Sequence, residues 1–192
     1  MKNLLVVFLL LTATSVLAES GVEFEYGSEV YTQAPYIKGP KATNEHLAIT
    51  PSTHILDYQL GIDYEINRDT TKNAPLQSML ELQLSRDLFT IDRFTTNLQV
   101  GTGRIINEKG SDYSHYQFTV EEDVKITKKL TLTSSYRYRN AYNNKYYFES
   151  NTGKVGFAYE LTEKAEFGLR YIRKFGAQQH SHGFEGGFAS VF

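Results

Sequence analysis

The 192-residue chain has no cysteine, no tryptophan and only four prolines. Without cysteine no disulfide staples the chain, and no lipobox cysteine is present to be acylated. Positive charge is not in excess: 20 Lys and Arg face 22 Asp and Glu, a formal net charge of −2. A nucleic-acid partner is therefore not expected, because phosphate binding needs a basic footprint. Long apolar runs are also missing. The longest, Leu4 to Leu11, falls far short of the ~20 residues that a spanning helix requires. That run follows Lys2 and precedes Val16-Leu17-Ala18, a pattern that reads as a secretory signal peptide over 1–18, removed before Glu19.

The chain does have alternation. Tyr58, Leu60, Ile62, Tyr64 and Ile66 interleave with Gln59, Gly61, Asp63 and Glu65, and Leu56 and Asp57 extend the pattern backward. Period 2 is the signature of a strand with one apolar and one polar face. The pattern recurs at Val22–Val30, Leu80–Leu84, Phe94–Val100, Tyr116–Val124, Leu130–Tyr138, Val155–Leu161, Phe167–Tyr171 and Phe184–Phe192. Around Phe148 the apolar parity differs from that at Val155, which predicts a bulge at Ser150–Gly153.

Connections between these segments alternate in length. Residues 67–75, 104–112, 140–145 and 174–181 read as long, and 87–92, 127–129 and 162–164 as short. Short periplasmic turns and longer external loops distinguish an outer-membrane barrel from a soluble sandwich. Tyr64, Tyr113, Tyr116, Tyr136, Tyr138, Tyr146, Tyr147 and Tyr171 fall at the long-loop ends, as an interfacial aromatic girdle would.

The last residues, Gly187-Phe188-Ala189-Ser190-Val191-Phe192, resemble the terminal strand of Gram-negative outer-membrane proteins. The resemblance implies that Phe192 is part of a signal read by the barrel assembly machinery. The expected fold is all-β, an antiparallel up-and-down transmembrane barrel over 19–192. With both ends in the periplasm the strand count is even. Ten strands are preferred, with 22–32 ascending, 45–50 descending and Pro51-Ser52-Thr53 turning the chain into 55–66. Eight is the alternative if 19–53 lies outside the wall.

No motif for catalysis, metal or cofactor stands out. His180-Ser181-His182 with Glu185 has the residue types of a lipid A deacylase, but the spacing puts His180 and Ser181 on opposite faces, and a polar external loop is the simpler reading. His180 and His182 lack a convincing set of further metal ligands. His54 and His115 read as the histidines nearest to strands, with Asp112 close to His115, and neither sits in a matching protease motif.

The inner face is more informative. Asp63, Glu65, Glu81 and Glu121 are acidic lumen candidates, joined by Glu23, Glu25, Asp57 and Glu160. Arg137, Arg139 and Arg170 are basic candidates, joined by Lys154. Acids dominate the N-terminal half and bases the C-terminal half, so they are expected to face each other across the bore, with Asp63 and Glu65 at the depth of Arg137 and Arg139. Such charges must be paired or hydrated. The segment Tyr136-Arg137-Tyr138-Arg139, with Tyr outward and Arg inward, resembles strands of the oligogalacturonate-specific porin family. That resemblance implies a small barrel whose luminal arginines attract acidic sugars.

The function read from the sequence is an integral outer-membrane barrel acting as a narrow porin-like channel for small or acidic solutes. A non-conducting structural or surface-interaction barrel is the alternative. The expected partners are outer-membrane lipid, the assembly machinery and small solutes.

Overall fold

The computed structural model describes residues 20–32, 43–69, 77–107, 112–143, 149–176 and 180–192. The leader segment 1–18 and residues Tyr146, Tyr147 and Phe148 lie outside the described residues. Ten strands close into one barrel: β1 (Ser20–Thr32), β2 (Thr43–Ile55), β3 (Tyr58–Asp69), β4 (Gln77–Ile91), β5 (Phe94–Asn107), β6 (Tyr113–Lys125), β7 (Leu130–Ala141), β8 (Glu149–Thr162), β9 (Ala165–Gly176) and β10 (His180–Val191). Each strand pairs antiparallel with its sequence neighbours, and β1 pairs with β10 to close the sheet. The strands run 12 to 15 residues. A tilted strand needs about 9–11 to cross a bilayer core.

Short turns at 56–57, 92–93, 126–129 and 163–164 all lie at one end. That end also holds both termini of the barrel, where the Phe192 N–H donates to the Ser20 carbonyl at 2.8 Å. The strand ends that flank 33–42, 70–76, 108–112, 142–148 and 177–179 lie at the other. Strands β9 and β10 therefore extend into the 174–181 segment expected as a loop, and His180-Ser181-His182 is strand.

The strand bounds correct two further expectations. Pro51-Ser52-Thr53 does not turn the chain. Strand β2 runs through it and turns at Leu56-Asp57, with Leu56 in the left-handed region at φ 58°. Proline offers no N–H, and the β2–β3 ladder skips from Ile49↔Tyr64 to Ser52↔Gly61 without losing register. Asp57 is thus a turn residue outside the bore, where it faces Arg86 at 3.5 Å. The bulge expected at Ser150–Gly153 is absent from the described ladders: β8 keeps one register against β7 throughout, and its irregularity against β9 falls at Glu160/Thr162.

The barrel is polar inside and apolar outside. Leu80, Leu82, Leu84, Phe118, Phe157, Tyr159, Phe167 and Leu169 are exposed on the outer wall, while Glu29, Glu81 and His115 are completely buried. A wall with apolar side chains outward suits lipid and would aggregate in water. Tyr116 stacks obliquely with Tyr138 and Tyr142, at ring centroid distances of 6.3 and 5.4 Å, near the long-connection end. Tyr113 does not join that girdle. It shares the inward parity of buried His115 and Gln117.

Candidate functional site

The bore divides into a filled half and a hollow half, and the division follows from side-chain size at inward positions. Toward the long connections those positions hold Glu29, His46, Glu65, Met79, Glu81, His115, Arg139, Ile172 and Glu185, all buried. Toward the short turns they include Gly21, Ser52, Gly61, Ser85, Ser135 and Ala189, which line a cavity of about 240 Å³.

Two ionic networks occupy the filled half and reach its boundary with the cavity, which Lys154, Arg170, Glu25 and Gln83 also line. In the first, Lys154 Nζ on β8 donates to both Glu185 oxygens on β10, at 2.7 and 3.0 Å. His46 Nε2 on β2 lies 2.9 Å from Glu185, and its Nδ1 lies 3.4 Å from Glu29 on β1. Glu29 also accepts from Lys174 Nζ at 2.5 Å and from the Ser181 hydroxyl at 2.6 Å. Below it, Arg170 donates to Glu25 at 2.6 Å and lies 3.6 Å from Glu23. In the second network, Glu81 on β4 meets His115 Nε2 at 2.7 Å and Arg139 Nη2 at 3.4 Å. Glu81 also accepts from Gln83 at 2.8 Å. The amides continue the network: Arg139 donates to Gln117, Gln117 to Gln99, and Gln99 to Gln83.

Both networks use the same three-strand device. Glu185, Gly27 and His46 occupy matched positions on β10, β1 and β2. Glu81, Gly103 and His115 do so on β4, β5 and β6. In each case the imidazole crosses the bare glycine to reach a carboxylate two strands away, a span of about 9–10 Å between strand axes. A Cβ on Gly27 would fall on the His46 ring, and one on Gly103 would come within 2.9 Å of His115 Cε1. Of these two imidazoles the sequence points to His115 and not to His46, which is inward on β2. His54 is exposed beside the turn. Inward parity was available from Leu47 and Ile49, but the glycine and carboxylate partners become visible only once strand register is known.

Asp63, Glu65, Glu81, Glu121, Arg137, Arg139 and Arg170 all sit on the inner face. Their pairing differs from a simple opposition of halves. Arg170 and Lys174 reach β1 acids across the intervening β10, through closure of the sheet rather than across the bore. Arg139 pairs with Glu81. Among the described residues no ion pair joins Arg137 to Asp63 or Glu65. Asp63 accepts from Thr50 at 3.2 Å and Gln83 at 3.5 Å, and Glu65 accepts from Asn67 at 2.8 Å. Ser181 and Glu185 face inward, while His180 and His182 are exposed on the opposite parity. The Ser181 hydroxyl thus donates to a carboxylate instead of meeting a histidine of its own strand.

Buried pairs of this kind need not add net stability, because desolvation of both ions offsets their attraction. What they supply is an occupied cross-section. Removing one member strands the other and costs about 3–5 kcal/mol.

No protein-family model and no curated protein matches the chain. Solved structures do. The barrel aligns with an outer-membrane channel from Pseudomonas putida over 91% of this chain and 96% of that one, at a TM-score of 0.56 and 8% identity. It aligns with the β domain of the Bordetella autotransporter BrkA over 90% and 99%, at 0.52 and 10%. The KdgM porin, in complex with disordered oligogalacturonate, aligns over 91% and 99%, at 0.44 and 10%. The first two alignments, at these identities, concern the fold alone, and the chain has the closed antiparallel fold of outer-membrane β-barrels.

Proposed function

We propose that the chain is an integral outer-membrane barrel that holds its bore closed, a membrane-embedded body rather than an open porin. The observation that carries this reading is the pair of buried networks filling the half of the bore nearest the long connections, where Glu29, Glu81 and His115 have no exposed surface. The short-turn end faces the periplasm, following the general asymmetry of such barrels. Export on the 1–18 leader and assembly through Phe192 complete the reading.

A specific observation favours a second reading, a narrow path for small ions. The hollow half runs deep into the barrel, and among the described residues the networks and a few buried apolar side chains such as Met79 and Ile172 separate it from the other end. Single-channel recording of the refolded protein tests both. The closed-barrel reading expects no steady conductance. Replacing Glu81 and Glu185 together with Ala removes a carboxylate from each network, and is expected to produce measurable current. Steady wild-type current blocked by acidic oligosaccharides would restore the porin reading and reject the closed barrel. Brief, salt-dependent openings to small ions would support the second reading.

A further inference from the structure

The hollow half has the features of a binding site. We propose that it takes a small zwitterion from the short-turn side, with the anionic group on Arg137 and the cationic group on Glu121 and Asp63. This goes beyond the closed-barrel reading, and it does not depend on whether the bore ever conducts.

The argument rests on which luminal charges are satisfied. Of the three cations lining the cavity, Lys154 is held by Glu185 and Arg170 by Glu25. Arg137 makes no contact-distance hydrogen bond or ion pair among the described residues, since Glu65, Glu81, Asp63 and Glu185 act on its charge only from further away, and it lines the cavity partly exposed. Among the acids, Glu121 likewise has no contact-distance partner among the described residues, Arg170 acting on it from further away, and Asp63 hydrogen-bonds the neutral donors Thr50 and Gln83 while Arg137 and Arg139 act on it at longer range. A guanidinium is a planar fork suited to a carboxylate, and one that no carboxylate contacts directly leaves that fork open to an anion. A purely anionic ligand would also meet the carboxylates of Glu23, Glu25, Asp63 and Glu121 in the same cavity. A purely cationic ligand would meet Arg137. A molecule carrying both charges satisfies both sides.

The register sets the spacing. Arg137 stands opposite Thr119, and Glu121 stands opposite Ser135. The two charged residues are therefore on adjacent strands and one inward step apart, about 7 Å along the strand. Strand β3 brings Asp63 to the far side of the cavity. A ligand with its charges separated by a short aliphatic chain spans this arrangement, and the volume of about 240 Å³ admits it. Small inward residues such as Ser135 and Gly61 leave that space open.

The probe is 4-aminobutyrate, with butyrate and butylammonium as its two single-charge halves. Binding is measured by calorimetry on protein refolded in a non-ionic detergent. The expected result is saturable binding of 4-aminobutyrate near millimolar, with each half about tenfold weaker. Arg137→Gln should bring 4-aminobutyrate down to the butylammonium level, and Glu121→Gln should bring it toward the butyrate level. Each variant is first checked for a folded barrel by its gel shift on heating. If Arg137→Gln does not fold, Glu121→Gln and Ser135→Phe, which fills the cavity, carry the test. Equal binding of the three probes, no binding of any, or unchanged 4-aminobutyrate binding in these variants would overturn the proposal.

Discussion

Gly27 is a position where one added methyl group would displace the imidazole that two carboxylates share. Its Cβ would overlap the His46 ring, with Nε2 at 2.7 Å and Nδ1 at 2.9 Å. The ring must leave, and with it goes the 2.9 Å contact to Glu185 and the 3.4 Å contact to Glu29. Loss of a hydrogen bond to a charged group costs about 1.5–3 kcal/mol. Forcing a side chain out of a packed interior costs about 1–3 kcal/mol. Against this, replacing glycine in a strand recovers about 0.5–1 kcal/mol of backbone entropy. Gly27→Ala is therefore expected to destabilise the barrel by about 3 kcal/mol. His46→Ala should cost about 2 kcal/mol, because Glu185 keeps Lys154 and Glu29 keeps Lys174 and Ser181. In the double variant the clash has no target, so its cost should be that of His46→Ala less the backbone gain, about 1–1.5 kcal/mol, a coupling of about −3.5 to −4 kcal/mol. Urea unfolding from micelles measures all three. With no tryptophan in the chain, strand circular dichroism is the appropriate signal. Additivity of the two single variants, or a neutral Gly27→Ala, would refute the reasoning.

Glu81→Ala should destabilise by about 3–5 kcal/mol, since it strands His115 and Arg139 in the bore. Arg86→Ala should cost less than about 1 kcal/mol in the same urea series, because its pair with Asp57 is solvent-exposed. Leu56→Gly should raise the unfolding midpoint by about 1 kcal/mol equivalent, because leucine at φ 58° bears a left-handed penalty that glycine lacks. If Leu56 instead contributes through packing, the sign reverses. An epitope inserted after Lys109 should be labelled on intact cells and one at Glu163 should not. The opposite pattern would invert the orientation, and labelling at both sites would contradict it.

The architecture was readable because period 2 runs through most of each strand, broken only near the short turns at Asp87/Phe89 and Glu160/Thr162 in the described ladders, and parity alone placed Glu81, Arg137, Arg139 and Arg170 inside. The first hairpins were misread for two local reasons. Pro51-Ser52 looks like a turn, yet a proline is tolerated where the ladder can skip two positions. Leu56 looks like a strand residue, because a two-residue turn preserves the alternation across it and leucine gives no sign of a positive φ. Pairing was beyond the reach of sequence because it depends on register and on barrel closure. Nothing near His46 in the chain points to Glu185, which is 139 residues away. That no carboxylate among the described residues contacts Arg137 directly is likewise a property of the assembled wall.

The two networks differ in when they can exist. Glu81 and His115 are 34 residues apart and belong to a run of consecutive strands, so their contact can form while the sheet is still growing. Lys174 and Ser181 are 145 and 152 residues from Glu29, and Arg170 is 145 from Glu25. These contacts require the first and last strands to have met, so they form only as the seam closes. Interactions absent from a folding transition state slow unfolding without speeding folding. The network around Glu29 and Glu185 therefore acts as a latch on the β1–β10 seam, a kinetic lock against lateral opening, while the one around Glu81 belongs to the construction of the wall.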